Sequence, residues 1–305
     1  MSVLVIGSMA YDSVETAEAK AERALGGSAT YFSVASSLFA RTNIVAVVGE
    51  DFDPGDLQRL KARDIGLEGV QQLDGRTFRW GGRYSRYFET RETLFTELNV
   101  FDRFDPEVPE SDRTPDVLFL ANIHPSLQLK VLDQVERPRI VALDTMNFWI
   151  AGERADLDKV LRRVDLLMIN DEEAFQLSGI GNLRKAAERI LDMGPRALVV
   201  KRGEHGAWLV DHDGVTLVPA VPLGHVVDPT GAGDSFAGGF SGYLASASSL
   251  DRRTLTSAIV AGTLCASFCV QGFSVDRLER VSRDDLRERH TMLQASVSDV
   301  ACDGL

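Results

Sequence analysis

Six short apolar runs, at residues 3–6, 44–48, 117–120, 140–143, 166–169 and 198–200, recur along the chain with helical patterns between them. Each run is continuous instead of alternating, the pattern of a strand whose two faces are both buried in a parallel sheet. The intervening helices carry recognisable ends. Asp53 and Pro54 supply an N-cap and a first-turn proline, Leu57 and Leu60 share a face, and Gly66 is read as the stop. Asn182 caps a second segment whose Leu183, Ala186, Ala187, Ile190 and Leu191 fall on one side, ended by Gly194 and Pro195. Strand–helix–strand repetition of this kind predicts a three-layer α/β/α sandwich around a mostly parallel central sheet.

Residues 76–104 break that rhythm. Phe78, Trp80, Tyr84, Tyr87 and Phe88, then Leu94, Phe95, Leu98, Val100 and Phe101, alternate with polar residues around Gly81 and Gly82. The pattern predicts antiparallel strands inserted into the α/β chain, forming a small sheet outside the main layers. Its exposed aromatics need cover, so it is either a lid over a site or a contact between two copies of the chain. The main domain is expected over residues 1–290, with a polar tail at 291–305 that frays.

Charge and cysteine content exclude several function classes. Thirty-three Lys and Arg against 45 Asp and Glu leave a net charge of −12, which repels a phosphate backbone, so no nucleic-acid partner is expected. No stretch of 18 apolar residues exists to cross a membrane. The first residues read as a strand and not as a secretion signal, and the sparse cysteines Cys265, Cys269 and Cys302 suit a reducing cytoplasm. Cys265 and Cys269, four apart in an apolar helix, are packing thiols in the absence of a second pair. The five histidines form no zinc spacing. Neither Gly-x-x-x-x-Gly-Lys nor a Gly-x-Gly-x-x-Gly after the first strand is present, which argues against a P-loop enzyme and a dinucleotide dehydrogenase.

The most informative segment runs from His225 through Asp228, Pro229, Thr230, Gly231, Ala232, Gly233 and Asp234 to Phe240. Pro229 removes a donor while Gly231 and Gly233 permit a tight turn, so this half is irregular. From Asp234 onward, Phe236, Phe240, Tyr243, Leu244 and Ala247 recur at helical spacing. A glycine-rich turn that feeds a helix aims consecutive amides at one point, where the helix dipole also favours an anion. Asp234 beside a bound phosphate does nothing for affinity, because like charges repel. It does have a use as the acceptor of a proton from a hydroxyl attacking that phosphate. The plainer alternative is a helix-terminal acid after an ordinary turn.

That run resembles the carboxy-terminal signature of the ribokinase-like (PfkB-type) carbohydrate kinases, and other landmarks follow in the family's order across residues 3–275. Gly26 and Gly27 resemble the amino-terminal di-glycine motif, and Asp12 the acceptor-binding Asp at the end of the first strand. Asn170 and Glu173 match Asn-x-x-Glu; Lys201, Gly203 and Gly206 match the strand and turn near the nucleotide; Asp144 and Asn147 resemble Asp-x-x-Asn near the phosphate path. The resemblance implies transfer of the γ-phosphoryl group of ATP, with Mg²⁺, to a primary hydroxyl of a sugar or nucleoside. It makes Asp234 the base and the amides of Gly231, Ala232 and Gly233 the holders of developing charge. Asp12, Gly26, Gly27, Tyr31 and Asn147 would bind the acceptor, and Asn170, Glu173, Lys201, Gly203, Gly206 and Thr230 the nucleotide. Glu173 would hold Mg²⁺ through water, with Asn170 beside it. A helix-capping role for Asn170 and Glu173 fits equally and is compatible with the first. Asp228 and Thr230 match positions where some relatives bind K⁺ with carbonyls near Gly272, and other relatives manage without it.

Two departures bear on the acceptor. Ala10 and Tyr31 stand where ribokinase has two asparagines, so a polyol pocket loses hydrogen-bond partners. Tyr31 and Phe32 then either offer a flat surface for a nucleobase, favouring a nucleoside, or belong to the core. The segment between Asp12 and Gly26 is short, so that half of the family's lid is expected to be reduced. The alternatives are a hexose or hexose-phosphate kinase, with Arg79, Arg83 and Arg86 on the lid as phosphate ligands, and a nucleotide-binding protein without chemistry. The lid also offers a route to a homodimer.

Overall fold

A computed structural model describes residues 1–297. The thirteen strands are β1 (Ser2–Ile6), β2 (Ala10–Glu15), β3 (Lys20–Gly26), β4 (Arg41–Gly49), β5 (Ile65–Leu73), β6 (Phe78–Tyr84), β7 (Arg91–Glu97), β8 (Val117–Leu120), β9 (Ile140–Asp144), β10 (Leu166–Asn170), β11 (Ala197–Lys201), β12 (Ala207–Asp211) and β13 (Gly214–Val218). The helices are α1 (Ser28–Ser36), α2 (Pro54–Lys61), α3 (Pro125–Leu132), α4 (Asn147–Gly152), α5 (Arg154–Leu161), α6 (Asp171–Ser178), α7 (Leu183–Leu191), α8 (Ala232–Ser246), α9 (Arg252–Cys269) and α10 (Arg283–Ala295).

Nine strands form the central sheet in the order β13-β12-β11-β10-β9-β8-β1-β4-β5. From β11 to β5 every neighbouring pair is parallel, and β12 and β13 add an antiparallel edge. Helices cover both faces, giving the expected three-layer sandwich. The continuous apolar runs are explained by this burial. In β1, Val3 and Val5 join one core with Phe32, Phe240 and Phe268, while Leu4 and Ile6 join a second with Leu157 and Ile190 on the other face. On the first face α8 lies between α1 and α9. A Cβ at Gly238 would stand 2.1 Å from the Phe32 carbonyl oxygen, so this glycine is what lets α8 approach α1.

The helix ends follow the sequence except at one place. Asp53 Oδ1 accepts from the Gly55 amide, and Asn182 Oδ1 from the Lys185 amide. Gly66, however, does not stop α2. The helix ends at Lys61, Asp64 takes a left-handed turn (φ 57), and Gly66 already lies in β5 opposite Asn43.

The second sheet has four strands in the order β3-β2-β6-β7. Residues 12–26, which the sequence offers as a possible second part of the lid, lie in this sheet: β2 and β3 supply two of the four strands, and β2 pairs with β6 in parallel. At the other end, the strand pattern read to 104 stops at Glu97, and Asn99–Arg103 is a short 3-10 turn. The tail placed at 291–305 is helical as far as Ala295, with Leu293 buried. Residues 298–305, and Cys302 with them, lie outside the described residues. Among the described residues no helix is long and apolar enough to cross a membrane.

Candidate active site

Strand order places the candidate residues. Asp144 ends β9, Lys201 ends β11, and Asn170 closes β10 where α6 begins, so all three arrive at the carboxyl edge of the sheet. Asp234 comes to the same edge on the first turn of α8. Lys201 Nζ donates to Asp144 Oδ2 at 2.8 Å, with only 18% and 8% of the two side chains exposed. A Cβ at Gly233 would stand 3.3 Å from the same Nζ, so the ammonium lies against the glycine-rich turn.

Gly231 caps α8 with φ 75 and ψ 0, in the left-handed region, and no side chain caps the helix. Its lack of a Cβ matters twice, because that atom would also sit 2.3 Å from the Tyr31 ring. The Ala232 amide is already used, donating to the Pro229 carbonyl at 3.2 Å. That bond closes the turn. The Gly231 and Gly233 amides, at positions with no intrahelical acceptor, are the ones left to face an anion.

Burial and like charge set the electrostatics. The partly buried Asp234 carboxyl is pushed up to about 7 by desolvation, with Asp144 adding and Lys201 opposing. Glu173 is raised by desolvation and by Asp144, against Lys201 and the Asn170 amide. Burial alone would depress Lys201, but Asp144 and Glu173 outweigh it and its pKa is raised. With all three carboxyls ionised, as above about pH 7, Asp144, Glu173 and Asp234 bring three negative charges against the one positive charge of Lys201, an excess of two. A divalent cation would balance it. Glu173 and Asn170 also form the capping box of α6: Asn170 Oδ1 accepts from the Glu173 amide at 2.7 Å, and Glu173 Oε2 from the Asn170 amide at 2.9 Å. The capping role and proximity to the charge cluster thus hold together.

Asp12 lies within β2 of the small sheet and not at the end of β1. Its carboxyl is 5% exposed and is pushed up to about 7 by burial, then by Asp228 and Asp234, against the Gly27 amide. A Cβ at Gly26 would stand 2.0 Å from Asp12 Oδ2, and Gly27 adopts φ 94 where α1 begins. The di-glycine motif thus makes room for this carboxylate. Asp228 is 1% exposed; its Oδ1 accepts from the Thr230 amide at 2.8 Å, and its Oδ2 is buried without a hydrogen-bond partner. The Thr230 hydroxyl meets the Tyr84 hydroxyl at 3.1 Å, so the small sheet touches the glycine-rich turn.

Several residues fall elsewhere than expected. Phe32 is fully buried and stacks on Phe119 at 4.5 Å. Tyr31 is 1% exposed, with Gly231 against its ring, so it offers no face for a nucleobase. Its hydroxyl is buried without a partner, in the field of Asp12, Asp228 and Asp234. Asn147 is exposed at the start of α4, with Oδ1 accepting from the Phe148 amide. Gly203 (φ 54) and Gly206 (φ 81) shape the turn between β11 and β12. Of the lid arginines, Arg79 pairs with Asp51, Arg83 with Glu15 and Glu92, and Arg86 lies over Tyr87. Arg91, which the sequence did not single out, stands beside the Tyr84 hydroxyl.

A family model described as pfkB family carbohydrate kinase matches residues 1–279. A cytidine kinase of Thermococcus kodakarensis is 28% identical over 250 residues, covering 80% of this chain and 88% of its own. A Burkholderia thailandensis nucleoside kinase solved in complex with inosine superposes with a TM-score of 0.77 at 19% identity, covering 97% and 98% of the two chains. An Arabidopsis thaliana ribokinase complexed with ribose and ATP reaches 0.77 at 19% identity, covering 94% and 98%. At these identities the two structures share the fold, and the fold does not choose between their acceptors.

Proposed function

The chain belongs to the PfkB family of carbohydrate kinases, and from that premise we propose that it transfers the γ-phosphoryl group of ATP to the primary hydroxyl of a nucleoside. The observation that carries this reading is the position of Asp234. Its partly buried carboxyl lies at the glycine-rich turn on the first turn of α8, and its charge acts on Asp12. Asp12 orients the acceptor hydroxyls, with Gly26 and Gly27 leaving room, and the Tyr31 hydroxyl supplies a further bond in place of a stacking face. Asp234 takes the proton of the attacking hydroxyl. The Gly231 and Gly233 amides and Lys201 hold the charge that develops on the transferred group. Thr230, Gly203 and Gly206 shape the nucleotide side, and Asn147 lines its rim.

The excess of two negative charges fits Mg²⁺, held by Glu173 with Asn170 through water; when bound it would offset phosphate charge. A K⁺ ion at Asp228 and Thr230 is part of the proposal, supported by the buried, unpartnered Asp228 Oδ2. Closure of the small sheet, a reading supported by the Tyr84–Thr230 contact, would exclude water as a competing acceptor. We take residues 1–290 as one kinase domain with this sheet as its lid. Leu94, Phe95 and Leu98 are exposed at its β7 edge and support pairing of two lids in a homodimer. Free buried Cys265 and Cys269 support a cytoplasmic setting.

The nucleoside preference rests on the cytidine kinase relative and no longer on Tyr31 as a platform. ADP release is expected with one of cytidine, inosine or adenosine, and not with ribose or fructose phosphates. Release stimulated only by a free sugar would discard the nucleoside and keep the mechanism. Tyr31→Phe tests the acceptor contact. Removing a buried hydroxyl without a partner is expected to raise stability by about 1 kcal/mol. The same change should raise the acceptor KM several-fold, and an unchanged KM would remove Tyr31 from the pocket.

A further inference from the structure

We propose that Arg91, on the lid strand β7, is a further catalytic residue of this reaction, contacting the γ-phosphate of ATP from the lid side when the lid is closed. The inference rests on the kinase reading above.

Four observations place it. Arg91 is paired with Tyr84 in the β6–β7 ladder, and the Tyr84 hydroxyl meets Thr230 at 3.1 Å, one residue before Gly231. That contact brings the end of the ladder, and the Arg91 guanidinium beside Tyr84, to the rim of the anion-binding turn. The guanidinium lies over the Trp80 ring, 5.3 Å from its centroid. An indole below the fork restricts a flexible side chain through the ring face and leaves the guanidinium edge to hydrogen-bond elsewhere, as it does with the Tyr84 hydroxyl.

Its charge is also uncommitted. Arg79 and Arg83 have carboxylate partners within 4.0 Å, and among the described residues Arg91 has none. Lastly, Thr230, which Tyr84 touches, belongs to the nucleotide side in the reading above, so the ladder sets Arg91 toward that half of the cleft. A planar fork of several donors suits a phosphoryl group carrying charge on three oxygens. Because it rides on the lid, that charge reaches the phosphate only once the acceptor is enclosed.

The test compares Arg91→Gln and Arg91→Lys with the wild-type chain. Affinities for ADP and for a β,γ-imido analogue of ATP are measured with Mg²⁺ present, alongside acceptor-dependent ADP release. A lost charge-assisted contact to the γ-phosphate is expected to weaken the analogue about tenfold or more in Arg91→Gln. ADP affinity should change less than about twofold on the same reasoning, with Arg91→Lys between the two. Turnover and the slow release of ADP without acceptor should fall together. Damage to lid closure alone would instead raise acceptor-independent release relative to turnover, and that result would overturn the proposal. Equal weakening of analogue and ADP, or no weakening, would also overturn it. The binding comparison stands even where no acceptor is turned over, so failure of the kinase reading and failure of the Arg91 role are read separately.

Discussion

Replacing Asp234 with asparagine is expected to lower kcat by at least about 100-fold, the usual scale for a lost general base, and to raise the melting temperature of the ligand-free protein at pH 8. The second effect separates the two readings of this residue. A carboxylate that merely complements the dipole of α8 would stabilise the helix, and its loss would cost about 0.3–1 kcal/mol. The environment argues the other way. Desolvation and the neighbouring Asp144 push Asp234 up to about 7. Folding therefore favours its protonated form. For a carboxyl raised in the folded state, nothing is lost below the unfolded pKa near 4. The cost grows as pH rises from there and is complete above about 7. Asp12 has the same sign, pushed up to about 7 mainly by its burial. The ligand-free wild type should thus melt at a higher temperature at pH 6 than at pH 8. In Asp234→Asn that difference should shrink, because an amide has no proton to lose. Calorimetry at the two pH values, with an activity assay on the same preparations, checks both halves. A variant that melts lower and still turns over would return Asp234 to an ordinary helix-terminal acid.

The glycine-rich turn was legible because it depends on local chemistry. Pro229, Gly231 and Gly233 forbid regular structure, and the spacing of Phe236 and Phe240 announces the helix that follows. The central strands were legible for a related reason: burial on both faces leaves a continuous apolar run that needs no partner to be recognised. What stayed hidden depends on partners distant in sequence. Lys201 meets Asp144 across 57 residues, and a strand-end lysine carries no sign of whether it pairs or is solvated. β2 is recruited into the small sheet by β6, some seventy residues on, and its own Ala10, Tyr11 and Asp12 show no clean alternation. Tyr31 was placed by the size of another residue. Gly231 has no side chain, so the ring fills that space and becomes core. Only the hydroxyl of Tyr31 could have hinted at this, since a buried phenol needs a reason to be polar. Arg91 shows nothing in sequence that distinguishes it from Arg83 or Arg86, and only the Trp80 ring and the approach of Tyr84 to Thr230 single it out.

Lys201→Met is expected to be the most destabilising single change in the site that leaves the glycine-rich turn intact. In the folded protein Lys201 is the cation hydrogen-bonded to Asp144 and lying in the field of Glu173 and Asp234. Removing it leaves the buried Asp144 and the partly buried Glu173 and Asp234 without that charge. Breaking a buried ion pair from one side costs about 3–5 kcal/mol, because the surviving charge keeps its desolvation penalty. Methionine fills much of the lysine stem's volume, so the loss would report charge more than a cavity. The double variant Asp144→Asn with Lys201→Met removes both ends, and it should recover most of the stability while recovering no activity. Mg²⁺ supplies the internal control. It faces an excess of two negative charges in the wild type and three in Lys201→Met, so its stabilising shift should be larger in the variant. Thermal melts of the wild type, Lys201→Met, Asp144→Asn and the double variant, each with and without Mg²⁺, contain the whole comparison. If Lys201→Met melts close to the wild type and responds no more strongly to Mg²⁺, the lysine does not balance these carboxylates. The charge arithmetic that assigns a divalent cation to this cleft would then lose its basis.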